Sequence, residues 1–179
     1  MFYLFLADGF EETEALAPLD MMRRAKIEVK TVGVTGEVVT GSHGVSVKAD
    51  LKPEEISYND IEGVVLPGGM PGTINLIKSD AVAKATTYCF ENNKITAAIC
   101  AAPSVLGNLG ILKGKKATCF PGFQKELEGA TYTAAPVEVD GNVITGKGAG
   151  CAILFGKAIV EKVLSAEAAN KVCGDMQCP

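Results

Sequence analysis

The stretch Ile95–Leu106 constrains the fold more than any other part of the chain. Residues 95–99 are apolar and β-branched enough for a strand that is covered on both faces. Pro103 favours the first turn of a helix, where a missing N–H is tolerated. Cys100 lies between the two, and an alanine stands two positions to either side of it, as a tight turn requires of its neighbours. The stretch therefore predicts a strand, a sharp turn and a helix, with Cys100 at a nucleophile elbow.

The position of Cys100 in this turn predicts its chemistry. A thiol there faces the beginning of the following helix, where free N–H groups and the positive end of the helix dipole favour thiolate over thiol. The alternative is a small buried cysteine that only packs in the core. Both interpretations stay open on the local sequence alone.

Strand and helix patterns alternate along the 179 residues. Such alternation predicts one α/β domain, residues 1–179, with a mostly parallel sheet and helices on both faces. In folds of this class ligands bind outside the carboxyl ends of the strands. We expect Asp8, the pair Gly68-Gly69 and Cys100 to lie at those ends.

Charge and cysteine usage limit the partners. The formal net charge is −4 and no basic run occurs, which argues against nucleic acid or an anionic membrane as the main partner. The apolar run Met1–Leu6 is too short for a signal peptide or a membrane span, so we expect a cytoplasmic protein. The chain has six cysteines but no Cys-x-x-Cys pair, which predicts free thiols. His43 is the single histidine, so we expect no metal site.

Four segments could together carry chemistry: Glu14, Gly68-Gly69, Cys100 and Gly146–Gly150. A nucleophilic thiol needs a partner that manages its proton, and Glu14 is the available carboxyl. The N–H groups of Gly69 and Ala101 could form an oxyanion hole. The alternatives are a solvated Glu14 at a helix start, an ordinary turn at the two glycines and a simple loop at Gly146–Gly150. Lys147, within that loop, is either a surface charge or an anion-binding group.

The motifs resemble those of the ThiJ/PfpI superfamily, in the branch of the parkinsonism-associated protein deglycase and its bacterial relatives. They are Ala-Asp-Gly-Phe-Glu-Glu-Thr-Glu, Leu-Pro-Gly-Gly, Ala-Ala-Ile-Cys-Ala-Ala-Pro and Gly-Lys-Gly-Ala-Gly, in this order and over nearly the whole chain. The resemblance implies a single domain like class I glutamine amidotransferases, a flavodoxin-like three-layer sandwich and a homodimer. It also implies a reactive, easily oxidised Cys100 bonded to Glu14, with Gly69 and Ala101 as the oxyanion donors.

The chain departs from the family pattern at several histidine and arginine positions. Phe120 stands where mammalian-type members carry a pocket histidine, and Ala101 stands where the peptidase branch carries one. No histidine follows His43, which disfavours peptidase and amidotransferase activity. His43 and Lys147 occupy the positions of anion-binding arginines, so positive character is kept but bidentate geometry is lost.

Three functions are compatible with these residues. The resemblance implies a cofactor-independent enzyme that acts on reactive dicarbonyls, as a glyoxalase III-like protein or a protein deglycase, with a small aldehyde or a glycated protein as substrate. The second function is a redox-sensing chaperone in which Cys100 is oxidised to sulfenate or sulfinate. The third is a binding module that holds a small metabolite without turnover.

Overall fold

The computed structural model describes residues 1–178. Its strands are β1 (Phe2–Leu6), β2 (Val29–Gly33), β3 (Val38–Thr40), β4 (Ser46–Lys48), β5 (Gly63–Leu66), β6 (Ile95–Ile99), β7 (Lys116–Ala117), β8 (Thr131–Tyr132), β9 (Val137–Asp140) and β10 (Val143–Gly146). Its helices are α1 (Glu12–Arg24), α2 (Gly72–Ile77), α3 (Asp80–Glu91), α4 (Pro103–Asn108), α5 (Ala152–Val163) and α6 (Ala166–Asp175).

Six strands form the central sheet, in the order β2-β1-β5-β6-β10-β9. All neighbours are parallel except β9, which pairs antiparallel with β10 at the edge through a tight hairpin. The carboxyl ends of β1, β5, β6 and β10 consequently meet at one edge of the sheet. The predicted α/β fold with a mostly parallel sheet is confirmed.

The sheet is covered on both faces, and its inner strands β1, β5, β6 and β10 are buried at every position except Ile95, which is partly buried. Successive side chains of β1 point to opposite faces. Phe2, Leu4 and Leu6 join one core cluster, while Tyr3 and Phe5 join the other. The first cluster is closed by α1, α5 and α6, and the second by α2, α3 and α4. The result is the three-layer sandwich that the resemblance implied.

Helices α1 and α5 pack unusually closely because α5 carries Gly156 at their contact. A Cβ added at Gly156 would lie 2.6 Å from Met21 Sδ and 3.0 Å from Pro18 Cα. Pro18 lies inside α1, and the helix runs through it from Glu12 to Arg24. The position of α1 therefore depends on the absence of a side chain on α5.

Several elements differ from what their local sequence predicts. The alternating residues of 26–34 predict a strand, but Lys26 adopts φ +62° and β2 begins only at Val29. The residues from about Ser79 to Asn92 predict a helix with Ser79 or Asp80 as its N-cap. Helix α3 agrees, and the Ser79 side chain caps it by accepting from the N–H of Val82 at 3.4 Å. Helix α2 and strand β8 carry no clear sequence pattern. The turn residues and β-branched alternation of 36–47 predict a short hairpin, which is present as β3 and β4, apart from the main sheet.

Within residues 1–178, none of the helices combines the length and apolar character that crossing a membrane would require.

Candidate active site

Cys100 occupies a strained turn at the carboxyl end of β6. Its backbone has φ +65°, a region that residues with a side chain seldom adopt. Two hydrogen bonds hold it there: its N–H donates to the Gly146 carbonyl at 2.9 Å, and its carbonyl accepts from the Phe120 N–H at 2.8 Å. Strain of this kind costs on the order of 1–3 kcal/mol and is typical of functional sites. The turn leaves the thiol partly exposed.

Glu14 lies beside this turn and is completely buried. It belongs to the first turn of α1, which Glu11 caps by accepting from the Glu14 N–H at 2.7 Å. Glu14 Oε2 accepts from the Gly68 N–H at 2.9 Å, while Oε1 is buried without a hydrogen-bond partner. The same carboxyl interacts with the side chain of Cys100. A buried carboxyl with an unpartnered oxygen next to a thiol is poised to hold or give up a proton.

The glycine turn after β5 separates and orients the acid and the thiol. A Cβ added at Gly68 would lie 2.7 Å from Glu14 Oε2 and 2.8 Å from Cys100 Cβ, so a side chain has no room there. Gly69 adopts φ +90°, which favours glycine. Hydrogen bonding by the backbone N–H groups of Gly69 and Ala101 lowers the pKa of the Cys100 thiol, against the effect of burial. The structure thus brings together five of the predicted site residues around one sulfur atom.

The ionisation of Glu14 and Cys100 is coupled. Burial raises the pKa of Glu14 to about 7, against the opposing effect of its hydrogen bond with Cys100. Burial, followed by the charge of Glu14, raises the pKa of the Cys100 thiol to about 12. The N–H groups of Gly69 and Ala101 act in the opposite direction. The two values belong to a pair that shares one negative charge between about pH 7 and 12.

This result corrects one expectation from the sequence. The beginning of a helix after Cys100 predicted a lowered thiol pKa, whereas burial and the ionised Glu14 raise it. Helix α4 has only six residues, and it starts after Ala102, which provides no side-chain cap. A short helix has a weak dipole, and the carboxylate opposite the sulfur outweighs it.

Phe120 forms one side of the site. Its N–H donates to the Cys100 carbonyl, and its ring lies against the Gly146–Gly150 loop. A Cβ added at Gly148 would lie 3.2 Å from the ring carbon Cδ2, so the glycine makes space for the ring. The ring remains 47% exposed. Phe120 therefore presents an exposed apolar ring, and its backbone is bonded to the turn that carries Cys100.

Lys147 and His43 are not brought into contact with the pair. The Lys147 backbone donates to the Pro136 carbonyl, and its side chain forms no ion pair within the described part of the chain. His43 lies in the turn between β3 and β4, with 72% of its side chain exposed, and its Nδ1 contacts Glu12 Oε2 at 2.9 Å. The structure supplies no contact through which either residue would bind an anion at Cys100.

Glu12 is a buried acid that the sequence did not single out. Its carboxylate accepts from the His43 N–H at 2.8 Å and the Val45 N–H at 3.3 Å. Burial alone would raise the pKa of Glu12, but its hydrogen bonds with His43 and the loop lower the pKa to about 2. These two donors lie 31 and 33 residues further along the chain, so no local pattern could reveal them. Glu11 had a detectable signal, because it stands three residues before a glutamate at a helix start.

Glu11, Glu12 and His43 form the single cluster of metal-ligand types among residues 1–178. Their potential ligand atoms lie within 4.8 Å of one another. The carboxylate oxygens already accept hydrogen bonds from backbone N–H groups and from the imidazole. The cluster is explained by helix capping and loop attachment, and it does not indicate a metal.

Comparisons of the sequence and of the structure with known proteins all lead to the same family. The family model described as DJ-1/PfpI family matches residues 2–162. The chain is 37% identical over 174 residues to the Parkinson disease protein 7 homolog of Danio rerio, covering 94% of this chain and 92% of that protein. It is 35% identical over 143 residues to Deglycase TK1284 of Thermococcus kodakarensis, covering 79% and 86% respectively.

Other matches are longer than this chain or are solved structures. Protein DJ-1 homolog B of Arabidopsis thaliana is 34% identical over 174 residues, which cover 96% of this chain but only 40% of that protein. The chain thus spans less than half the length of that relative. A solved structure described as Toxoplasma gondii DJ-1, oxidized, superposes with a TM-score of 0.94 at 31% identity and covers 98% of this chain and 97% of that one.

Proposed function

Because the chain belongs to the DJ-1/PfpI family, we propose that it is a cysteine-dependent enzyme that removes reactive dicarbonyl compounds. Cys100 is the nucleophile, and Glu14 is its proton partner. The main observation behind this proposal is that Glu14 is completely buried next to Cys100. One of its carboxyl oxygens, Oε1, has no hydrogen-bond partner. The relatives named as deglycases support a dicarbonyl or glycated protein as the substrate.

The singly ionised pair exchanges between two forms: one has the charge on Glu14 and keeps the thiol protonated, and the other, the reactive form, has the proton on Glu14 and the charge on sulfur. The backbone N–H groups of Gly69 and Ala101 both favour the charged form of the sulfur, whereas the Gly68 N–H alone donates to the carboxylate. Oε1 of Glu14 has no hydrogen-bond partner when the carboxyl is ionised. If Oε1 is protonated, its O–H can donate a hydrogen bond to the neighbouring sulfur. Deep burial of Glu14 also favours its neutral form over its charged form.

Attack on a dicarbonyl such as methylglyoxal follows from this arrangement. The sulfur of Cys100 forms a bond to the aldehyde carbon, and the carbonyl electrons move to oxygen, which takes the proton of Glu14. The N–H groups of Gly69 and Ala101 stabilise the oxygen while it is negative. Glu14, now ionised, transfers the proton of the former aldehyde carbon to the neighbouring carbonyl carbon. The hydroxyl proton on the former aldehyde oxygen passes to the oxygen of that neighbouring carbon, which leaves a lactoyl thioester on Cys100. Water hydrolyses the thioester to lactate and restores the thiol.

Because the Phe120 side chain cannot accept or donate a proton, proton transfer in this mechanism depends on Glu14. No imidazole is available at the sulfur, since the one histidine of the chain is bound to Glu12. The exposed ring of Phe120 instead offers an apolar contact to the carbon substituent of the substrate. We therefore expect slower turnover than in relatives with a histidine at this position.

Lactate formation from methylglyoxal tests the nucleophile. Cys100→Ser should abolish it, because a serine hydroxyl has a much higher pKa than a thiol and Glu14 would not ionise it. Cys151→Ser is the matched control: Cys151 is also partly exposed, and it lies outside the pair. Lactate formation that persists in the Cys100→Ser protein would exclude the mechanism.

Titration of the thiolate by ultraviolet absorbance tests where the proton resides. With the proton on Glu14, thiolate absorbance at Cys100 grows as the pair first ionises, near the pKa of about 7 that Glu14 shows. Wild type minus Cys100→Ser gives the signal of this residue alone. Absorbance that appears only near pH 12, the value raised by burial and by ionised Glu14, would place the charge on the carboxylate instead.

Oxidation sensing is the second candidate function. Cys100 is partly exposed, its strained turn presents the sulfur, and a structural relative at 31% identity is described as oxidized. Under mild peroxide, mass spectrometry should find sulfenate or sulfinate on Cys100 before any other cysteine. Equal modification of all six cysteines would contradict this role.

A further inference from the structure

Helix α6 ends in a turn that brings two cysteines together. The N–H of Cys178 donates to the Cys173 carbonyl at 2.9 Å, and the N–H of Gln177 donates to the Gly174 carbonyl at 3.1 Å. Gln177 has φ +55°, in the left-handed region. These two hydrogen bonds and this backbone define a Schellman motif.

The motif determines which side chains touch. The residue two positions after the cap packs against the residue three positions before it, and this contact is normally hydrophobic. Here both positions are cysteine, Cys178 and Cys173. The cap geometry places the two thiols side by side, and burial together with the neighbouring Cys178 raises the pKa of Cys173. Both side chains are partly exposed, so a small reagent can reach them.

We propose that Cys173 and Cys178 form a reversible disulfide that closes the last turn of α6 when a low-molecular-weight disulfide is present. This site is independent of Cys100 and of the function proposed for it. The pair is favourable because the helix end holds both residues in contact before any oxidation, so little conformational freedom is lost when the bond forms.

The reaction proceeds by thiol–disulfide exchange. The Cys178 thiolate attacks one sulfur of the reagent, the reagent's sulfur–sulfur bond breaks, and one small thiolate leaves. The Cys173 thiolate then attacks the Cys178 sulfur and releases the second small thiolate. The two cysteines lose two electrons and two protons, and the reagent is reduced to two thiols.

Peptide mapping after incubation with glutathione disulfide tests the proposal on the intact protein. Trypsin cleavage after Lys171 releases one peptide that carries Cys173 and Cys178 and no other cysteine. We expect this peptide to be lighter by two hydrogen atoms, and Cys100→Ser to give the same yield. Glutathione adducts on both cysteines without a crosslink would overturn the proposal.

Two variants at Gln177 test whether the disulfide forms because the Schellman motif positions the two cysteines or only because they are close in sequence. Gln177→Gly keeps the left-handed turn, while Gln177→Val disfavours it because a β-branched residue is strained there. The equilibrium constant for disulfide formation should be about tenfold lower in the valine variant than in the glycine variant. Equal constants would show that the helix end does not place the cysteines.

Discussion

At the scale of single residues, Glu14 is the least expected feature of the molecule. Carboxyl groups are seldom completely buried, and burial without full hydrogen bonding destabilises the ionised form. Glu14 accepts one backbone hydrogen bond and leaves Oε1 unpartnered. The presence of a buried, incompletely hydrogen-bonded carboxyl at this edge of the sheet is explained by the thiol that it faces. Because its ionisation is disfavoured, its contribution to the stability of the protein should depend on pH.

Glu14→Gln should therefore change the pH dependence of stability. The pKa of Glu14 is raised by burial from 4.5 to about 7, so the folded protein binds this proton more tightly than the unfolded chain. The resulting stabilisation is complete below about pH 4.5 and is lost as pH rises through 7. Relative to the glutamine variant, the wild-type free energy of unfolding should fall across this window by on the order of 3 kcal/mol. Urea denaturation at several pH values measures it.

The control for that experiment is Glu161→Gln, on the exposed side of α5. Its stability should follow the wild type at every pH. If the curves of wild type and Glu14→Gln run parallel between pH 4.5 and 7, the buried carboxyl does not have the raised pKa described here.

At the scale of elements, the site depends on turns that have no room for side chains. The turn after β5 is the clearest, since Gly68 lies between the acid and the thiol. The turns fix the distance between Glu14 and Cys100, so their substitution should affect chemistry before it affects folding.

Gly68→Ala should reduce the alkylation rate of Cys100 by at least tenfold while the protein stays folded. The added methyl group would push Glu14 or Cys100 out of position, because both lie under 3 Å from it. Gly150→Ala is the matched control, since nothing lies within 4 Å of a Cβ there. Iodoacetamide labelling followed by peptide mapping gives both rates. Equal rates in the two variants would mean that the turn does not position the pair.

Local sequence predicts the elements of this fold well and their interactions poorly. The elbow at Cys100 follows from small neighbours and a proline, which act within a few residues. The attachment of Glu12 to the loop around His43 could not be predicted, because it joins segments that meet only in the folded sheet. The raised pKa of Cys100 was missed for the same reason: burial and the charge of Glu14 are tertiary effects. Glu14 was predicted as the available carboxyl and the resemblance implied the same residue, but its complete burial is again a tertiary effect.

At the scale of the whole molecule, the two faces of the sheet can be observed separately. The chain has no tryptophan, and all four tyrosines belong to the core cluster closed by α2, α3 and α4: Tyr3, Tyr58, Tyr88 and Tyr132. Tyrosine fluorescence therefore reports on one face, while far-ultraviolet circular dichroism reports on the helices of both.

If residues 1–179 form a single domain, the two signals should give the same urea midpoint. The central strands contribute side chains to both core clusters, so neither cluster can be lost alone. The measurement requires a reducing agent, which keeps the cysteines as thiols. Separate midpoints would show that the two faces unfold independently and that the chain is not one cooperative unit.

The close contact of α5 with α1 has a consequence for the chemistry. Gly156 permits α1 to approach to its observed depth, and the opening turn of α1 carries Glu14. A methyl group at residue 156 would shift α1 outward as a rigid rod and draw the carboxyl away from the sulfur. A substitution in α5 can therefore alter the spacing of Glu14 and Cys100 through the thickness of one helix, without changing either of those two side chains.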